Sequence, residues 1–201
     1  MIPCLCNGSN ILLETKIYEF DNKNRRPRCN GKISYPQLII NPIEEQQELY
    51  LNINKKIEDI VKEYSVCNKT SKNSYSAEFE VPNSGVQDLF SILWRTKKHN
   101  KTSRIESITI NIHTGEILKE DNIFHNHSSN LIHELVKLSK DRLNMQITWD
   151  EFLKKIENKE IQLYLKNGEW FIVFNDTTSS DNIFETTLPR YFIRYRQIHD
   201  K

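Results

Sequence analysis

Between residues 104 and 124 the chain reads RIESITINIHTGEILKEDNIF, and no other stretch limits the fold as much. Ile108, Ile110 and Ile112 alternate strictly with Thr109, Asn111 and His113, with Ile105 and Glu106 ahead of them. A period of two gives one apolar face and one wet face, which is a half-buried strand. Thr114-Gly115 supplies the reversal that follows, because glycine accepts the positive φ of a tight turn. Glu116, Ile117 and Leu118 leave the turn, and the run from Asp121 to Phe124 heads back toward a core.

The rest of the chain supplies partners for that strand. Residues 1–10 read as an irregular lead, and residues 11–20 as a first strand. Residues 21–31 (DNKNRRPRCNG) are a polar loop rich in turn formers. KISYPQLII over residues 32–40 is a second strand, and Pro36, which cannot donate a ladder bond, predicts an edge or a bulge. Asn41-Pro42 opens an amphipathic helix over residues 43–64, with Asn as cap, Pro in the first turn, and Glu44, Glu45 and Glu48 at the positive end of the dipole. Leu49, Tyr50, Ile53, Ile57, Ile60, Val61 and Tyr64 form its continuous apolar stripe.

Strands follow at residues 74–81 and 89–96, the second more apolar and therefore more central. Residues 95–104 form a basic hairpin loop before the strand described first. Two shorter helices come next, one capped by Ser128 or Ser129 and running to residue 143, the other opened by the capping box Thr148-Trp149-Asp150-Glu151. Residues 161–165 and 169–175 make a hairpin across Lys166-Asn167-Gly168, since Asn-Gly is the strongest short hairpin signal. A polar loop over residues 177–182 and a last strand over residues 185–195 close the chain. This order predicts an α+β fold: one largely antiparallel sheet, with one long helix and two shorter helices packed on it.

Totals exclude several classes. With 201 residues the chain buries a core without needing staples. A net charge of +1 argues against a dedicated nucleic-acid binder, whose charge is one-sided. No apolar run approaches the ~18 residues of a membrane helix. Met1 to Cys6 is too short for a signal-peptide core, so no targeting segment is visible. Cys4, Cys6, Cys29 and Cys67 are candidate disulfide cysteines, with three pairings open and free thiols the alternative. Five Asn-x-Ser/Thr sequons begin at Asn7, Asn68, Asn100, Asn126 and Asn175 and matter only in a secreted eukaryotic protein.

Chemistry-bearing patterns are sparse. His125, His127 and His133 lack a fourth ligand at zinc spacing, and the cysteines lack paired C-x-x-C knuckles, so no metal and no cofactor is expected. No nucleophile elbow or glycine-rich phosphate loop occurs. The acid pairs Glu44-Glu45 and Asp150-Glu151 already serve helix first turns. Basic clusters lie at residues 23–32, at residues 95–104, and at Arg190, Arg194 and Arg196 among Tyr191, Phe192 and Tyr195. The last could stack on bases, but an edge strand with inward-packed aromatics and guarding arginines is the better reading.

Several segments, in order, resemble the extracytoplasmic domain of unknown function of the RsiV/PdaC type, found in an anti-sigma factor and in a peptidoglycan deacetylase. Tyr35-Pro36 and then Leu51-Asn52 and Ile57 look like its "YP … LN..I" opening. INIHTGEIL with Asp121 and Phe124 is similar to its "N-x-D-x-x-T-G-x-x-L … D-x-F" signature. LYLKNGEWFIVF and ETTLP look like its closing hairpin and its "E-x-x-I-P-Y" end. The family's Gly-Ala-His segment is replaced by residues 95–104, with His99 alone standing near it, and its loop before the last strand by residues 175–182. The resemblance divides the chain into a lead, first strand and polar loop over residues 1–32 and an RsiV/PdaC-like domain over residues 33–201, one structural domain overall. It implies a non-enzymatic cell-envelope binding or sensor domain, extracytoplasmic, whose partner is a protein such as lysozyme or a cell-wall polymer. Loop candidates for the contact are Arg95, Lys97, Lys98, His99, Lys101, Asp176 and Asp181. The alternatives are a nucleic-acid binder using the basic loops and an uncharacterised hydrolase.

Overall fold

The computed structural model describes residues 2–6, 9–22, 29–39, 46–64, 75–82, 86, 88–98, 101–124, 149–158, 160–175, 183–188 and 193. Six strands form one sheet in chain order: β1 (Ile2–Cys6), β2 (Ser9–Asn22), β3 (Cys29–Leu38), β4 (Tyr75–Glu80), β5 (Leu89–Lys98) and β6 (Lys101–Asn111). Neighbours are antiparallel except β3 and β4, which run parallel over Gly31, Lys32 and Ile33. Parallel neighbours need a crossover, and helix α1 (Gln47–Tyr64) provides it. Three further strands, β7 (Ile161–Lys166), β8 (Glu169–Asn175) and β9 (Ile183–Thr187), make a separate antiparallel sheet.

The apolar stripe of α1 behaves as its spacing predicts. Tyr50, Ile53, Ile57 and Val61 are buried against Ile33, Ala77, Phe90, Ile92, Trp94 and Ile110 of the large sheet. Each such side chain contributes on the order of 2 kcal/mol by leaving water. The opposite face of β5 and β6 is covered by the small sheet, where Leu93 and Ile105 meet Tyr164 and Val173. Alternation in β5 thus sends Phe90, Ile92 and Trp94 toward α1, and Leu89 and Leu93 toward the small sheet. Ser91, fully buried between the layers, bonds Thr109 Oγ1 at 2.7 Å and accepts the Leu165 N–H at 3.0 Å.

This arrangement overturns the expected α+β fold with one long helix and two shorter helices on a single sheet. The described chain is mostly sheet, 58% strand. Besides α1 its helices are the single turn α2 (Glu120–Ile123) and α3 (Trp149–Glu157). The helix predicted for residues 128–143 lies outside the described residues, as do the caps at Asn41 and Thr148. The physical reason is β5. Covered on both faces, it needs a second layer, and a second sheet supplies it where helices were expected. Residues 2–6, expected to be irregular, form β1 because their backbone finds a ladder on Ser9 to Leu13. Residues 95–104 are largely strand rather than loop: β5 runs to Lys98 and β6 starts at Lys101, with a register shift at Thr96/Lys97.

Other local expectations hold. The β7–β8 turn has Asn167 at φ 52° and Gly168 at φ 76°, both left-handed, as a two-residue primed turn requires. Pro36 pairs with Thr15 on β2, while on its other side β4 reaches only residues 31–33, so it stands at a local edge. There Asn54 on α1 takes over: its Oδ1 accepts the Leu38 N–H at 2.8 Å and its Nδ2 donates to Leu38 O at 2.9 Å.

Candidate functional site

β6 is the last strand of the large sheet, so its outer backbone groups need partners. At Ile105 the Asn175 carboxamide accepts from the N–H at 2.9 Å and donates to the carbonyl at 2.7 Å. At Ser107 the N–H donates to Gln162 Oε1 at 2.9 Å, and the hydroxyl donates to Leu163 O at 2.9 Å. At the far end a strap over residues 116–118 returns antiparallel, with Ile117 opposite Ile110. The Leu118 N–H donates to Thr109 O at 2.8 Å, and the Asn111 N–H donates to Glu116 O at 2.8 Å.

The strap is fixed by the turn identified from sequence. Asn111 Oδ1 accepts from the N–H groups of His113 and Thr114 at 2.9 and 3.1 Å, and the Gly115 N–H closes onto Asn111 O at 2.7 Å. Gly115 sits at φ 69°, tucked against α1, where an added Cβ would lie 3.0 Å from Leu49 Cδ1 and 3.4 Å from Ile53 Cγ1. Lys56 Nζ donates to Gly115 O at 2.6 Å, and His113 Nε2 lies 3.0 Å from Asp88 Oδ1. The turn is thus pinned to α1 and to the start of β5.

Between the strap and β7 the edge opens into a cleft of about 280 Å³. Its floor is aliphatic: Ile60 of α1, Ile108 of β6, Ile117 and Leu118 of the strap, Ile156 of α3 and Leu163 of β7. Polar atoms enter from Ser107, Thr109 and Gln162, while Glu63 and Lys119, both exposed and of opposite charge, stand at the rim. Since the outer-facing groups of β6 belong to odd-numbered residues, Ser107 O and Thr109 N–H face this cleft. Among the described residues Ser107 O accepts no hydrogen bond from that side and Thr109 N–H donates none.

The sequence-predicted contact residues lie elsewhere and are not brought together in one place among the described residues. Arg95 and Lys97 stand on β5 and pair with β4 carboxylates, Arg95 Nε at 3.3 Å from Glu80 Oε2 and Lys97 Nζ at 2.6 Å from Glu78 Oε2. Lys98 and Lys101 end β5 and begin β6. His99, Asp176 and Asp181 lie outside the described residues, as do His125, His127, His133, Arg190, Arg194, Arg196 and Cys67. Arg104 Nε lies 3.2 Å from the buried Glu106 carboxylate. Among the described residues no group of three His, Cys, Asp or Glu side chains could hold a metal ion. No described helix is long and apolar enough to cross a membrane.

One titratable group between the sheets is strongly perturbed. Tyr164, stacked on Phe171 with ring centroids 5.2 Å apart, donates its hydroxyl to Glu185. Burial first, and then the Glu185 carboxylate, push its phenol far above the ordinary tyrosine range. Tyr35 is raised more modestly, by burial and by Glu58 of α1.

Sequence reasoning missed the carboxamides that complete strand edges, Gln162 and Asn175 at β6 and Asn54 at β3. Their one signal was position, a carboxamide inside or at the end of an otherwise apolar run, as in IQLYL and WFIVFN. A buried carboxamide in such a run must bond something, and here it bonds a strand edge.

No family model and no curated relative matches the chain. Two solved structures are similar to it over nearly its whole length. One is a DUF3298-family protein from Bacteroides fragilis, 11% identical, with a TM-score of 0.45, over 94% of this chain and 95% of that one. The other is a DUF3298-family protein from Pseudomonas aeruginosa, 10% identical, with a TM-score of 0.47, over 92% of this chain and 95% of that one. DUF3298 is a family of unknown function. At those identities and scores the likeness assigns neither membership nor activity.

Proposed function

We propose that this chain is a non-enzymatic binding or sensor domain of the cell envelope, recognising a protein such as lysozyme or a cell-wall component. The observation that carries the binding half is the preformed aliphatic cleft on the outer edge of β6, held between α1, the strap and β7. Concave apolar surface with a few fixed polar groups is the common form of a ligand site. The hydroxyls that reach it are already engaged, Ser107 with Leu163 O and Thr109 with Ser91, which supports gripping over nucleophilic chemistry. Arg95 and Lys97 face Glu80 and Glu78, so their charge is answered within the sheet and does little for a phosphate backbone.

The envelope setting and the named partners rest on the resemblance of the YP, LN..I and N-x-x-x-T-G segments to the RsiV/PdaC-type domain. Passing the chain over immobilised lysozyme and over insoluble peptidoglycan tests it. Retention on one of them is the expected result; passage through both contradicts the proposal.

A further inference from the structure

The large sheet has a second edge, at β1. Among the described residues no strand pairs with its outer side, since β1 ends the strand order and has β2 as its neighbour. The backbone fixes which groups look outward. The Ile39 N–H donates to Leu12 O at 2.9 Å, so Leu12 turns its backbone groups toward β3, and its neighbours Ile11 and Leu13 turn theirs toward β1. Their partners in register are Cys4 and Ile2, which therefore face β2. Pro3 and Leu5 face away from the sheet. The N–H that Pro3 lacks thus falls on the outer side, where its absence leaves the β1–β2 ladder intact. What the edge offers a neighbour is the Pro3 carbonyl and both backbone groups of Leu5.

We propose that this edge is a self-association surface, on which β1 of a second copy of this chain pairs antiparallel about a two-fold axis at Cys4. Outward groups must meet outward groups, which leaves few registers. Setting Pro3 opposite Leu5 of the second copy overlaps all five residues of β1. Each such pair makes one bond, from the Leu5 N–H to the Pro3 carbonyl, and the two-fold makes it twice. Cys4 then faces Cys4 at a non-hydrogen-bonded position. Centring on Leu5 would also make two bonds but would overlap only residues 4–6. The occupant is a second copy because the strand suits its own image. Strand edges are normally guarded by charge, and β2 to β9 each carry at least one charged residue, whereas Ile2-Pro3-Cys4-Leu5-Cys6 carries none. Two such strands meet without the like-charge repulsion that a two-fold would otherwise impose. The surface beside the edge is also apolar. Leu12, 42% exposed, stands in register with Pro3, so pairing extends its row to Leu5 of the second copy. A contact through one short strand is small, so the dimer is weak and forms with concentration.

The test uses the full chain in two measurements. Sedimentation equilibrium under reducing conditions should show a monomer–dimer equilibrium. Glutathione disulfide then traps the pair: two thiols form one S–S bond, and their two hydrogens pass to the glutathione disulfide, which leaves as two thiols. Facing Cα atoms at a non-hydrogen-bonded position lie about 4.5 Å apart, within disulfide reach. The two copies of Cys6 would stand roughly 13 Å apart along the strands. Peptide mapping of the covalent dimer should therefore find Cys4 joined to Cys4. Two substitutions shift the affinity in opposite directions, and both act on the side away from β2. Leu5→Pro removes the donor of both intermolecular bonds and should weaken dimerisation about tenfold. Pro3→Ala supplies an outward N–H for Leu5 O of the second copy and should strengthen it about tenfold. A chain that stays monomeric up to about 1 mM overturns the proposal. So does a covalent dimer joined mainly through any other pair, Cys4 to Cys6 meaning a pairing centred on Leu5. A dimer that Leu5→Pro leaves equally tight overturns it as well.

Discussion

The side chain of Asn54 holds both backbone groups of Leu38, accepting from its N–H at 2.8 Å and donating to its carbonyl at 2.9 Å. Leu38 lies beyond the reach of β4, which pairs with β3 only over Gly31, Lys32 and Ile33, so the helix completes a strand edge that the sheet leaves bare. Both partners are buried. Replacing Asn54 with leucine would strand a buried donor and a buried acceptor, each worth about 1–3 kcal/mol. Urea unfolding of Asn54→Leu should show a loss of about 2–4 kcal/mol with little change in slope. A loss under about 0.5 kcal/mol would mean that water or a shifted backbone replaces the clamp.

Much of this was legible in advance, and the misses share a cause. The stripe on α1, the alternation from Ile108 to Ile112 and the Asn167-Gly168 turn are local patterns, and each appears where its period or turn chemistry places it. Partition of strands into two sheets is not local. It depends on which face of β5 needs cover, and Leu89, Phe90, Ile92, Leu93 and Trp94 are all apolar. Such a run signals burial on both sides without saying whether helix or sheet provides it. The carboxamides were invisible for a similar reason. Asn54 looks like one more polar residue of a helix, and only the neighbouring bare edge makes it structural. The cleft has no motif at all, because its lining is drawn from α1, β6, the strap, α3 and β7, which are distant in sequence.

Gly115 should resist substitution. Its φ of 69° is left-handed, which costs an L side chain about 1 kcal/mol, and an added Cβ would press Leu49 Cδ1 at 3.0 Å. Leu49 can give way at its tip, so Gly115→Ala should cost about 1–2 kcal/mol in thermal or urea unfolding. Because the turn carries the strap, amide exchange at Leu118 should also speed up. Unchanged stability together with unchanged exchange at Leu118 would show that the turn is not pinned to α1.

Alkali should destabilise the fold through buried phenols. Tyr164 and Tyr35 are both raised from the ordinary value of 10.0, so the folded chain holds these protons more tightly than the unfolded chain. The stability they contribute is complete below about pH 10 and is lost as pH rises further, since the unfolded chain ionises first. Tyr164→Phe keeps the ring on Phe171 but removes the bond to Glu185. It should cost about 1 kcal/mol at neutral pH and flatten the fall in stability above pH 10. An identical alkaline slope in the variant would contradict the assignment.

Backbone placement limits the cysteines. Cys4 pairs with Ile11 and Cys6 with Ser9, while Cys29 pairs with Asn22 at the other end of β2. At ~3.3 Å per residue, Ile11 and Asn22 stand roughly 35 Å apart along the strand. A disulfide needs Cα atoms within about 7 Å. Peptide mapping of the oxidised monomer without reduction should therefore find no link from Cys29 to Cys4 or Cys6. Such a link as a major species would contradict the strand order.

Hydrogen exchange on the full chain, with and without the partner that retains it, reads the β6 edge most directly. In the free chain the Thr109 amide should exchange faster than those of Ile105, Ser107, Asn111 and Leu118, whose bonds are internal. With partner bound, protection should rise first at Thr109 and over residues 107–119. Protection that rises only on other surfaces, or a Thr109 amide already as slow as Asn111 in the free chain, would contradict a binding cleft at this edge.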